Sequence, residues 1–224
     1  MLVQITQWGA CNLIHFINTD PDPAKALDAA EFERQLRANA HGYHNYHAFN
    51  VLLNSGRAAP AQMRGWVANR FYYQIHIPRQ DAVVDPWLRL GEAVGLKANE
   101  MWSTEHVLPG VRTVVNAYID HTQQQPWQEA ACASLTELFA AEIHSAHLGN
   151  WPAFYPWIEP GGLEHFRSKM RRTPQDIETG LRVTLEYFRT REQQSRALEL
   201  LRVKLDLLWS VLDAIQEGYG AHEG

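Results

Sequence analysis

"PAQMRGWVANRFYYQIHIP", residues 60–78, decides the fold class of this 224-residue chain. Its apolar residues recur at three- and four-residue spacing without alternation, the period of a helix and not of a strand. Pro60 suits a first helical position and Pro78 lies where a helix must stop. Trp66, Arg70, Tyr73, Gln74 and Ile77 fall at i, i+4, i+7, i+8 and i+11, one stripe of a 3.6-residue helix. Arg70 thus shares a face with large apolar side chains, where an unpaired guanidinium is costly. It requires an Asp or Glu partner or an anionic ligand.

The same period extends outward from this helix. Apolar spacing predicts helices over about 28–40, 41–54, 60–77, 80–95, 98–107, 111–124, 127–148, 162–171, 174–190 and 191–218, and no window alternates long enough for a strand. The fold class is all-α, a compact multi-helix bundle. Gly56, Pro86, Pro109-Gly110, Pro126 and the loop "NWPAFYPWIEPGG" punctuate the segments. "TPQD" at 173–176 reads as the clearest start, with Thr173 capping, Pro174 at the first position and Asp176 completing a capping box.

Length and composition fit one hydrophobic core, expected over 31–220 after a divergent segment 1–30. A net charge of −5 opposes binding to nucleic acid or an anionic membrane surface, so positive charge for an anionic substrate must be local. Cys11 and Cys132 lie far apart without metal-type spacing, which argues against a disulfide scaffold or a zinc site. The opening residues lack a basic n-region and an unbroken apolar run, and no later run reaches membrane-span length. A cytoplasmic location is expected.

Several polar residues lie on apolar faces. Taken as one helix, "HGYHNYHAFN" (41–50) and its continuation put His44 with Ala48, Val51 and Leu52, His47 with Asn50 and Asn54, and Tyr46 with Phe49 and Leu53. His44 then faces the interior, as a core histidine satisfied by one hydrogen bond or as a functional group. Lys204 has Leu200, Leu201, Leu207, Leu208 and Val211 as helical neighbours, which leaves a salt bridge, a snorkelling stem or a charge offered to a ligand. Glu137, Ala141 and His144 share a face beside Ala140, either as a structural hydrogen bond or as a pair exchanging protons in a cavity. Metal chemistry has thinner support, because Glu-x-x-His does not occur as a di-iron bundle would need, although a haem would need only one histidine. Cys132, between two alanines, reads as core packing rather than a nucleophile.

Beyond these faces, "LRANAHGYHNYH", "QMRGWVANRFYYQIHIPRQDA", "WLRLGEAVGL", "EHVLPGVRTVVNAY", "WQEAACASLTELFAAEIH", "WPAFYPWIEPGGLEHFRSK" and "KLDLLWSVLDA" together resemble the pyrroloquinoline-quinone (PQQ) synthase family over about 31–217. The resemblance implies a haem-oxygenase-like or thiaminase-II-like helical fold, a homodimer, and ring closure with O2-dependent oxidation of a bicyclic quinone precursor, the last step of PQQ biosynthesis. The resemblance also implies that H2O2 is released and that the protein supplies no metal or organic redox cofactor. It further implies a site of Tyr43, His44, Arg70, Gln74, Tyr118, Glu137, His144 and Lys204. In that reading Arg70 and Lys204 hold carboxylates, His44 and His144 are bases tuned near neutrality, and Tyr118 and Gln74 hold quinone oxygens.

Departures from the family pattern are also visible. A helix and loop carrying a further family histidine are missing after about residue 84, and Gln80 replaces a lysine. His147, His165 and Lys169 stand where the family has arginine, tyrosine and arginine, and the two histidines are expected to carry part of the charge. These departures keep open a catalytically impaired quinone-binding member, and, more remotely, a thiaminase-like hydrolase or haem protein on the same fold.

Overall fold

The computed structural model describes residues 25–77, 84–123 and 125–220. The expectations for most of 1–30, for Gln80 and for the segment around 78–83 lie outside the described residues. Within them there is no β-strand, and ten α-helices follow one another: α1 (Ala29–Arg37), α2 (Ala48–Asn54), α3 (Pro60–His76), α4 (Val84–Ala93), α5 (Ala98–Ser103), α6 (Pro109–Thr122), α7 (Trp127–Ala133), α8 (Ala140–Phe154), α9 (Glu164–Tyr187) and α10 (Arg191–Tyr219). No helix of the described residues is long and apolar enough to cross a membrane.

α10 is the axis of the bundle. Its leucines, with Val211 and Ile215, are buried on nearly every side, and α1, α2, α3, α6 and α7 pack around it. A helix apolar on most sides can only sit in the centre, where each large side chain contributes about 1.5–3 kcal/mol. α3 crosses it and is itself buried from Met63 to Gln74 with few gaps. Asn69, fully buried, joins α3 to the loop before α6: its amide donates to the carbonyls of Gly65 and His106 and accepts from the Leu108 amide. α4 and α9 close the other side, with the turn at Gly162 so near α4 that an added Cβ would lie 2.3 Å from Ala93 Cβ.

Four predicted helices differ from the structure, the expected 162–171 and 174–190 being one continuous helix, α9. The expected helix 41–54 is broken into a 3₁₀ turn (His44–Tyr46) and α2, with His47 as the cap whose Nδ1 accepts from the Phe49 amide. His44 faces the interior as read, but the faces drawn around it do not hold: Tyr46 is 73% exposed and Val51 44%, while His47 is buried as well. The expected helix 127–148 is two helices joined by a 3₁₀ segment (Ser134–Phe139), and α8 runs on through Pro152 to Phe154, beyond the predicted end. Tighter winding there removes Ala141 from the Glu137 face and leaves it exposed. Finally, Pro174 does not start a helix but lies inside α9. Thr173 is not a cap; its hydroxyl donates back to the Lys169 carbonyl within the helix.

Candidate active site

One cavity of about 70 Å³ opens among α3, α4, α8, α9, α10 and the two 3₁₀ segments that carry His44 and Glu137. The α3 stripe read from the sequence forms one wall, since Trp66, Arg70, Tyr73, Gln74 and Ile77 all line it. Of the residues expected at a site, Tyr43, His44, Arg70, Gln74, Glu137, His144, His147, His165, Lys169 and Lys204 converge on this one space. Tyr118 does not line it. Its ring lies 4.2 Å from Lys204 Nζ instead, a support for the ammonium rather than a contact for quinone oxygen.

The two cations at the α3–α10 wall have no carboxylate partner among the described residues. Arg70 sits over the Tyr73 ring at 4.8 Å, and its Nη1 is buried without a hydrogen bond. Lys204 Nζ lies between the Tyr73 and Tyr118 rings, 5.0 and 4.2 Å from their centroids, and likewise has no hydrogen-bond partner. Burial, aided by the Arg70 charge and resisted by Glu137, brings the Lys204 pKa down to about 7. Neither the salt bridge nor the snorkelling stem weighed from sequence is found. Burial also raises the phenols of Tyr43, Tyr73 and Tyr118, the last to about 12, so all three remain proton donors at neutral pH.

Glu137 is committed elsewhere. Its carboxylate accepts from Lys169 Nζ at 2.8 Å and from Thr173 Oγ1 at 3.4 Å. Burial pushes its pKa up, but the Lys169 charge and hydrogen bond, with help from His144 and Thr173, outweigh this and hold it below the usual value. Of the two readings of Glu137 and His144, the structural hydrogen bond between them is not found; Glu137 pairs with Lys169 instead. The Lys169 ammonium is paired with Glu137 at the cavity wall.

Four histidines surround the remaining space. His144 is lowered to about 4, mainly by burial, with Glu137 pulling the other way, while His44, His147 and His165 are driven well below the ordinary histidine value, again by burial first. They are neutral imidazoles at pH 7. His147 and His165 thus do not supply the partial charge expected of them, and the bases lie below neutrality rather than near it. Trp66, Trp87, Trp151 and Phe166 pack around the histidine rings, for example His165 to Trp87 at 4.3 Å and His147 to Phe166 at 4.7 Å, which explains the desolvation. Among the described residues no group of three or more His, Cys, Asp or Glu side chains is arranged to hold a metal ion. Cys132, whose thiol donates to the Ala197 carbonyl and is raised by burial to about 12, is a core residue as read.

Sequence reasoning did not single out Asn50 and Asn54. Asn50 Nδ2 bonds His44 Nδ1 and the His44 carbonyl, and Asn54 Oδ1 bonds His147 Nδ1 and Trp151 Nε1. Their signal was an asparagine pair at i and i+4 inside an apolar helix, read only as a polar stripe.

The comparisons with known proteins agree with this architecture. A family model described as "TENA/THI-4/PQQC family" matches residues 33–85 and 83–214. A pyrroloquinoline-quinone synthase of Pseudomonas aeruginosa is 47% identical over 224 aligned residues, covering 87% of this chain and 90% of that one. The pyrroloquinoline-quinone synthase of Pseudomonas syringae pv. tomato is 46% identical, covering 88% and 90%. Among solved structures, a domain of unknown function with a haem oxygenase-like fold from Shewanella denitrificans superposes with a TM-score of 0.71 at 13% identity, covering 88% of this chain and 98% of that one. A TenA homologue from Pseudomonas syringae pv. tomato gives 0.65 at 8% identity, covering 88% and 96%. At these identities the structures show the shared haem-oxygenase-like fold and no more.

Proposed function

The chain belongs to the TENA/THI-4/PQQC family, and from that premise we propose that it is an oxidase of the PQQ-synthase kind, catalysing the final step of PQQ biosynthesis in this cavity. The observation that carries the reading is the pair of cations, half-buried Arg70 with its enclosed Nη1 and fully buried Lys204, that face one space without a carboxylate of their own among the described residues. A quinone precursor bearing several carboxylates supplies the missing counter-charge on a chain that is acidic as a whole. The substrate undergoes ring closure and oxidation, O2 takes the electrons and leaves as H2O2, and the protein contributes no metal or organic redox cofactor.

The residues divide the work by their chemistry. Arg70 and Lys204 hold carboxylates, Tyr43 and Gln74 hydrogen-bond the ring system, and His44 and His144 move protons. The Glu137–Lys169 pair and the His147 and His165 rings shape the far wall. The aromatic packing that desolvates the histidines also keeps bulk water from the reacting carbons. In this reading the working form is a homodimer in the cytoplasm.

Incubating the purified chain with the quinone precursor in air tests the proposal. PQQ absorbance and peroxide should rise together. Binding of the precursor without either product would leave a quinone-binding member that has lost turnover. Two observations favour that second reading: Lys169 is engaged by Glu137, and the family match breaks at 83–85.

A further inference from the structure

Two asparagines at opposite ends of α2 fix the tautomers of two cavity histidines, and they fix them in opposite senses. Asn50 Nδ2 lies 2.8 Å from the His44 carbonyl oxygen and 2.9 Å from His44 Nδ1. A carbonyl oxygen only accepts, so the amide must present its nitrogen, and the same NH₂ donates to Nδ1. Neutral His44 therefore carries its proton on Nε2, which is buried at the cavity without a partner.

At the other end, Asn54 Oδ1 lies 3.1 Å from Trp151 Nε1 and 2.8 Å from His147 Nδ1. An indole N–H only donates, so the amide must present its oxygen here. His147 Nδ1 then has to donate, which leaves the lone pair on Nε2. That nitrogen has no hydrogen-bond partner among the described residues, and His147 lines the cavity.

We propose that the cavity holds one fixed donor, His44 Nε2–H, and one fixed acceptor, His147 Nε2, so that a ligand binds with a carbonyl oxygen at His44 and an acidic N–H or O–H at His147. Asn54 is the positioning residue of the acceptor, with Trp151 fixing the amide, much as outer partners fix the tautomer of a metal-bound histidine. The inference deepens the reading of this cavity as the quinone site and rests on it for the identity of the ligand. It assigns to His147 a proton-accepting role, where the sequence suggested a partly charged wall.

Long-range ¹H–¹⁵N correlation of the ¹⁵N-histidine-labelled full chain at neutral pH, alone and with PQQ, is the test. His147 should show Nδ1–H with a bare Nε2, and His44 the reverse. Saturating PQQ should move both Nε2 resonances without exchanging the tautomers. Asn54→Leu should let His147 populate both tautomers. Asn54→Asp, which keeps an acceptor for both neighbours, should hold Nδ1–H and make His147 protonate at higher pH than in the parent chain. Identical tautomers at the two rings, a His147 signal indifferent to Asn54→Leu, or bound PQQ that leaves both Nε2 resonances in place would overturn the proposal. Tautomers as stated with no PQQ binding at any concentration would instead overturn the quinone reading of the site while the donor–acceptor split stands.

Discussion

Lys204 is held by two phenol faces among leucines, and its pKa near 7 means that the free protein carries a mixture of ammonium and amine at physiological pH. The folded value lies below the ordinary lysine value of 10.5, so the unfolded chain binds the extra proton between about 7 and 10.5, and Lys204 adds to stability as pH rises through that window. Ligand binding has the opposite slope. A carboxylate favours the ammonium, so binding takes up a proton above pH 7 and the affinity for PQQ should fall as pH rises from about 7 to 9. Lys204→Met should weaken binding at pH 6 by about 2 kcal/mol, roughly thirtyfold, and flatten that dependence, as read by calorimetric titration across pH. An unchanged pH profile in the variant would assign the dependence to another group. Lys204 and Arg70 were legible in the sequence because a long cation in an apolar stripe breaks a strict pattern. His147 was marked as a site position by the resemblance, but its role was not legible, since that depends on a contact from Asn54, distant in sequence and set by how α2 meets α8.

Elements were legible where one period runs unbroken, as in α3 and α10, and misread where the backbone changes pitch. A 3₁₀ segment keeps the polar and apolar residues of a helix but turns 3.0 residues at a time, so spacing arguments carried across His44–Tyr46 or Ser134–Phe139 put side chains such as Val51 and Ala141 on the wrong side. Pro174 was misread for a related reason. Proline marks a helix start only when the chain before it is not already helical, and α9 is anchored on both sides of it by the buried residues His165, Phe166, Leu181 and Thr184. Tertiary burial overrides local propensity here. The consequence is measurable. Pro174 is exposed, so Pro174→Ala gives up little packing, restores a donor for the Met170 carbonyl and relieves a helix-interior cost of about 3 kcal/mol, less about 1 kcal/mol from a freer unfolded chain. A thermal melt should show the variant roughly 5 °C more stable. Were Pro174 a helix start, the same change would be neutral or destabilising.

At the scale of the whole molecule, the bundle brings residues from five helices and two 3₁₀ segments to one internal point, and it leaves positive charge there that the rest of the chain does not neutralise. All-α class and the convergence of ten of the eleven expected site residues were accessible from face analysis and family resemblance together. Tyr118 and the Glu137–Lys169 pairing were not, because they depend on how α6 and α9 pack, and no single-helix pattern encodes that. The cavity of about 70 Å³ has room for several waters, and Arg70 and Lys204 lie over the Tyr73 ring on one of its walls. The most direct measurement is a crystal structure of the chain with PQQ bound. The quinone is expected inside this cavity, with its carboxylates against Arg70 and Lys204. A quinone bound outside the cavity, or inside it with its carboxylates on neither cation, would rule out Arg70 and Lys204 as the carboxylate site.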